Sequence, residues 1–159
     1  MINSKLNVLV VGTGEYTTGY TPSSIISSDK KAGVVALTLF DLRRRGMVGS
    51  IAIVGQNGTK CEAIKRHLLE QVASKYREMD IGMKYYPESH VERDPLACTN
   101  CSLTKTCSLF GNSSTHKSEK DKKAIDDHKP GDAVLIFTPD NTHFEIALYA
   151  VQRGLHVVC

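Results

Sequence analysis

Residues 133–159 constrain the fold more than any other stretch. Ala133-Val134-Leu135-Ile136-Phe137 is an apolar run without alternation, the pattern of a strand covered on both faces. Thr142 and Glu145 have capping-box spacing, and the positions after them predict a helix over Thr142 to Arg153. Gly154 closes that helix, and Leu155 to Cys159 is a second buried strand. A strand, a helix and another apolar strand make a βαβ unit, so the sheet is parallel, with helices on both faces.

The rest of the chain extends this unit. Asn7 to Val11 is a β-branched strand closed by Gly12-Thr13-Gly14. Residues 15–31 are polar, with Gly19, Pro22 and several serines, and predict a loop. Gly33 to Arg45 carries Val34, Val35, Thr38, Leu39 and Leu42 at helical spacing, and Arg43 to Arg45 suit the dipole at its end. Gly46 fits the C-cap, and Ser50 to Val54 is the second strand. Thr59 and Glu62 form another capping box, opening a helix to about Met79 with Ile64, Leu68, Val72 and Tyr76 on one face. Ile81 to Tyr86 is the third strand, stopped by Pro87. Residues 97–123, rich in Ser, Thr, Lys and Cys, predict a disordered inserted loop, and a short helix is expected over Lys122 to His128. With right-handed crossovers the expectation is an α/β fold: one domain over residues 1–159, a doubly wound parallel sheet of Rossmann type in the order 3-2-1-4-5. Its binding crevice should lie between the first and fourth strands, at their carboxyl ends.

Composition removes other classes. The 159 residues are 41 % hydrophobic, enough for one core, and the net charge of +3 comes without a basic stripe interleaved with aromatics. No nucleic-acid partner is therefore expected. No apolar run approaches the roughly 20 residues of a membrane span, and the N-terminus lacks signal-peptide architecture. The expectation is a cytoplasmic chain with no membrane partner and five reduced cysteines.

Gly12-Thr13-Gly14 directly follows a strand, as a pyrophosphate site requires. The first glycine makes the tight turn and the second lets backbone approach the phosphates. A third, which lets the helix pack close to the sheet, would fall at position 17, where Thr17 stands. If residues 15–32 are an insertion, Gly33 takes that role at the helix start. Alternatively, Gly12 and Gly14 serve only a turn. Residues 55–60 hold no acid to grip an adenosine ribose diol. Asn57, Thr59 and Lys60 suit a 2′-phosphate, which favours NADP over NAD, although Asn57 and Thr59 equally suit a turn and a cap.

Thr138-Pro139-Asp140-Asn141-Thr142-His143, followed by Ile146-Ala147 and Gly154-Leu155-His156-Val157-Val158-Cys159, resembles the N-terminal domain of the Gfo/Idh/MocA oxidoreductases. That family is named for glucose–fructose oxidoreductase and inositol dehydrogenase. The resemblance is closest over residues 133–159, fair over the first two strands and absent over 97–123. It implies a nicotinamide cofactor and a sugar or polyol substrate. Thr138 and Pro139 would line the cofactor, with Asn141 and His143 beside its ribose or nicotinamide. His143 also reads as a residue that only caps or packs its helix. In the family Glu-Lys-Pro commonly follows the position of Cys159. The lysine is the usual acid/base partner, and a second domain supplies the substrate site. This sequence contains neither, so no catalytic residue is assigned. The expectation is a dinucleotide-binding domain of an oxidoreductase, not catalytic by itself, whose last strand pairs with another chain or aggregates. A non-catalytic dinucleotide sensor on the same fold is the alternative.

Three features remain. Cys98, Cys101 and Cys107, with His116, lack the two close pairs of a tetrahedral zinc site, so no metal is expected. Cys61, near a helix start, either has a lowered pKa or packs. Asp126-Asp127-His128 reads as surface.

Overall fold

The unbroken apolar runs become the centre of a parallel sheet. A computed structural model of the chain describes residues 5–21, 31–56, 58–77, 79–86 and 114–159. Its strands are β1 (Leu6–Val11), β2 (Val48–Val54), β3 (Lys84–Tyr86), β4 (Ala133–Ile136) and β5 (His156–Val158). Every neighbouring pair is parallel, and the order is β3-β2-β1-β4-β5, as the connectivity predicts. Leu9 pairs with Ala52 on one side and Val134 on the other, so β1 lies at the centre.

Side chains alternate across a strand, and the two faces bury different layers. Val8 and Val10 pack with Leu39 and Phe40 of α2 (Val34–Arg44) and with Ile64 and Leu68 of α3 (Cys61–Leu68). Leu9 and Val11 pack with Ala124 and Ile125 of α4 (Ser114–Asp126) and with Ile146 and Ala150 of α5 (His143–Gln152). α5 is apolar outside as well, exposing Phe144, Leu148 and Val151. Among the described residues no helix is long and apolar enough to cross a membrane.

Several boundaries differ from the sequence reading, each for a local reason. Residues 15–31 are not loop throughout: α1 (Glu15–Thr18) forms one turn there and ends at Gly19, which takes the left-handed conformation. Gly33 does not pack its helix against the sheet. A Cβ on Gly33 would lie 2.4 Å from the Thr18 carbonyl carbon, and one on Gly19 would lie 2.7 Å from the Gly33 nitrogen. The two glycines clasp α1 to the start of α2, and the chain that leaves after Gly19 returns to the same point.

α3 gives way to a π turn over Leu69–Ala73, so Val72 stays buried while Tyr76 swings out to partial exposure. The 97–123 loop is corrected at its far end, where α4 already begins at Ser114 and takes in the short helix expected from Lys122. Cys98, Cys101 and Cys107 lie outside the described residues. The first capping box misses its cap by one residue; the second has Thr142 at the N-cap of α5, but neither helix has a side-chain capping bond. α3 is preceded by a 3-10 turn (Gly58–Lys60) with Lys60 at the cap, and α5 by a 3-10 turn (Asp140–Thr142). Arg44 and Arg45 both pair with Asp41, and Gly46 closes α2 through bonds from Gly46 N to Arg43 O and from Met47 N to Leu42 O.

A polar seam ties the amino ends of three strands. Asn7 donates from its backbone N and its Nδ2 to Asp132 Oδ1 (3.1 and 3.2 Å), and Lys129 N donates to Asp132 Oδ2 (3.0 Å). Asn7 Oδ1 accepts from Ser50 N and Oγ (3.0 and 2.8 Å). Asp132 is buried, and these donors satisfy its side-chain oxygens.

Asp126 and Asp127 are exposed, as expected, yet both fasten α4. Asp126 pairs with Arg153, and Asp127 accepts from Tyr86 Oη (2.5 Å) and Lys84 Nζ (3.0 Å).

Candidate functional site

The strand order reverses between β1 and β4, and there the two candidate turns meet. Beyond the strands the ladder continues: Phe137 N donates to Val11 O (2.8 Å), Gly12 N to Val54 O (2.9 Å) and Gly55 N to Tyr86 O (2.9 Å). The 12–14 turn and the 137–142 turn therefore share the carboxyl rim of one sheet. The rings of Tyr16 and Phe137 lie 5.9 Å apart across it.

The glycines of the first turn have different physical reasons. Gly12 has φ +117°, and a Cβ there would stand 2.4 Å from Phe137 O. It is glycine because β4 passes against it. Gly14 is extended, with φ −70° and ψ 177°, and a Cβ there would meet nothing within 4 Å. Neither conformation nor packing requires glycine at position 14. Between them, Thr13 lays its side chain over Gly55, where a Cβ would come within 2.7 Å of Thr13 Cγ2.

Thr17 occupies the place of the missing third glycine. It is wholly buried, and its hydroxyl has no partner among the described residues. Thr18 instead returns its hydroxyl to Gly14 O (3.2 Å), which stiffens the turn.

The second turn is held from within. Thr142 Oγ1 donates to Pro139 O (2.8 Å), so Thr138 supplies the proton in the 2.7 Å contact between the two hydroxyls. His143 Nε2 lies 2.7 Å from Thr138 O. A carbonyl only accepts, so Nε2 carries the proton and a neutral His143 keeps its lone pair on Nδ1. Asn141 is exposed on the 3-10 turn, and Pro139 is exposed at its start.

At the end of β2 the sequence-predicted set is only partly described. Asn57 lies outside the described residues, and Thr59 lies in the 3-10 turn with Lys60, which is exposed. Sequence reasoning missed Lys120 of α4, whose Nζ reaches Gln56 O (3.4 Å). Two lysines from different elements thus flank the β2 end. The signal for Lys120 was lost in a run of polar residues with no periodicity. Gly33, grouped with this site from the sequence, supports α1 from behind instead.

Cys61 does not have a lowered pKa. It is buried, and desolvation pushes its thiol up despite nearby Lys65. Among the described residues no group of three or more His, Cys, Asp or Glu is arranged to hold a metal.

Comparison of the chain with protein-family models, with curated proteins and with solved structures finds no match.

Proposed function

We propose that this domain binds a nicotinamide dinucleotide across the carboxyl ends of β1 and β4, with NADP preferred to NAD, as the cofactor-binding part of an oxidoreductase acting on a sugar or polyol. One observation carries the reading. Gly14 is a glycine that its own fold does not need, and it stands in the turn where a pyrophosphate must approach backbone. In this reading Gly12, Thr13 and Gly14 cradle the phosphates, and Thr138 and Pro139 form the opposite wall. Asn141 and His143 lie toward the ribose or nicotinamide. Lys60 and Lys120 supply the charge for a 2′-phosphate. The cofactor, when bound, supplies hydride chemistry, and the chain supplies position. Because His143 is tied to Thr138 O, its role is to orient the turn.

Calorimetric titration with NADPH and NADH tests the proposal. NADPH should bind the tighter of the two, and Gly14→Val should abolish binding of both while leaving the fold intact. Lys60→Glu with Lys120→Glu should weaken NADPH by roughly tenfold or more, the worth of one charge-assisted bond, and leave NADH unchanged. Failure of both nucleotides to bind, or unimpaired binding by Gly14→Val, overturns it.

A further inference from the structure

The rim between β1 and β4 carries an aromatic pair that the glycine turn does not require. Tyr16 lies two residues beyond Gly14, on the single turn of α1. That turn is held by its other residues. Thr17 and Thr18 are wholly buried, the Thr18 hydroxyl returns to Gly14 O, and Gly19 is clasped against Gly33. Tyr16 in the same turn is 49 % exposed. Its place is therefore set by the backbone around it and not by burial of its own ring.

Across the rim stands Phe137, the first residue after β4. Its backbone is fixed by the bond from Phe137 N to Val11 O (2.8 Å) and by the close passage of its carbonyl against Gly12. Its side chain is half-buried against the layer that holds α2 and α3. The rings of Tyr16 and Phe137 stand 5.9 Å apart and tilted by 47°, a favourable contact that is not a closed stack. Phe137 thus supports Tyr16 from one side. A covered aromatic side chain buries 150–250 Å², so roughly 100 Å² of this tyrosine stays open, enough for a second planar ring to lie against it.

Strand order decides which half of a dinucleotide would meet that ring. β2 and β4 flank β1 on opposite sides. Lys60 and Lys120 stand by the β2 end. A cofactor with its 2′-phosphate there and its pyrophosphate at Gly12-Thr13-Gly14 carries its other end toward β4. Tyr16 leans on Phe137, so it stands on that side.

We propose, on the basis of that dinucleotide reading, that Tyr16 is the platform on which the nicotinamide ring stacks, with Phe137 holding it in place. The test is calorimetric titration of the full chain with NADPH and with 2′-phospho-ADP-ribose, the same molecule without its nicotinamide. Loss of one stack on an aromatic side chain is worth about fivefold or more in affinity. Tyr16→Ala should therefore weaken NADPH at least about fivefold and leave the truncated molecule unchanged, whereas Tyr16→Phe should bind both as the parent does. A second readout needs no variant. In proton NMR the nicotinamide protons of NADPH should move upfield on binding to the parent, from the ring current of the tyrosine. Equal weakening of both ligands by Tyr16→Ala, unimpaired NADPH binding, or no upfield movement in the parent overturns the role of Tyr16 and leaves the dinucleotide reading standing. Binding of neither ligand to the parent overturns both.

Discussion

Gly12 and Gly14 stand two residues apart in one turn, and alanine at each should separate fold from function. At Gly12 the φ of +117° lies where an L-residue is strained, at a cost of about 1–3 kcal/mol. The added Cβ would also sit 2.4 Å from Phe137 O. Moving the two turns apart would stretch the bonds from Phe137 N to Val11 O and from Gly12 N to Val54 O, each worth about 1 kcal/mol net. Gly12→Ala should therefore destabilise the domain by about 3–5 kcal/mol, a large share of the 5–15 kcal/mol that domains ordinarily have. At Gly14 the backbone is already extended and the space is open. Gly14→Ala should be neutral, or stabilise by up to about 1 kcal/mol through the unfolded chain. Urea unfolding followed by circular dichroism gives both numbers. A Gly12→Ala variant within about 1 kcal/mol of the parent would refute the close approach of the two turns.

Two further outcomes follow from the polar contacts. Asp132→Ala removes the acceptor for Asn7 and Lys129 amides at a buried position and should destabilise by about 3 kcal/mol in the same assay. The hydroxyl of Tyr86, and then Lys84, hold the Asp127 carboxyl below its usual range. A depressed carboxylate stabilises the fold above its unfolded pKa, about 3.9, and that contribution is lost as pH falls through the folded value. Asp127→Asn should thus melt below the parent at pH 7, and the gap should close as the pH drops below about 4; a gap that persists in acid would exclude this account.

Most of the fold was legible because burial on both faces leaves an unmistakable run of residues. Val8 to Val11, Ile51 to Val54 and Ala133 to Ile136 could be read directly, and with the crossover rule they fixed the strand order. What escaped had little apolar content or acted through backbone. α1 is a single turn, too short for periodicity. α4 announces itself only through Ala124 and Ile125, after a run of polar residues. Both helices are entered through a 3-10 turn; it shifts the α3 cap from Thr59 to Lys60, while the α5 cap stays at Thr142 without its side-chain bond. At the site the meeting of the two turns was readable, because connectivity forces β1 and β4 together. The difference between Gly12 and Gly14 was not, since it depends on where Phe137 O passes. Lys120 was also hidden, because its proximity to the β2 end is set by tertiary packing of α4.

The clasp between Gly19 and Gly33 has an architectural consequence. Since Gly19 and Gly33 lie against each other, the two ends of the segment between them stand at one spot in the crossover from β1 to β2. A change of length at positions 22–30 should therefore add little to the cost of closing the crossover, whereas its ends are anchored, Tyr20 beside the His67 ring and Lys31 O at His67 Nε2. Both glycines are the price of this freedom, for a side chain on either would wedge the port open.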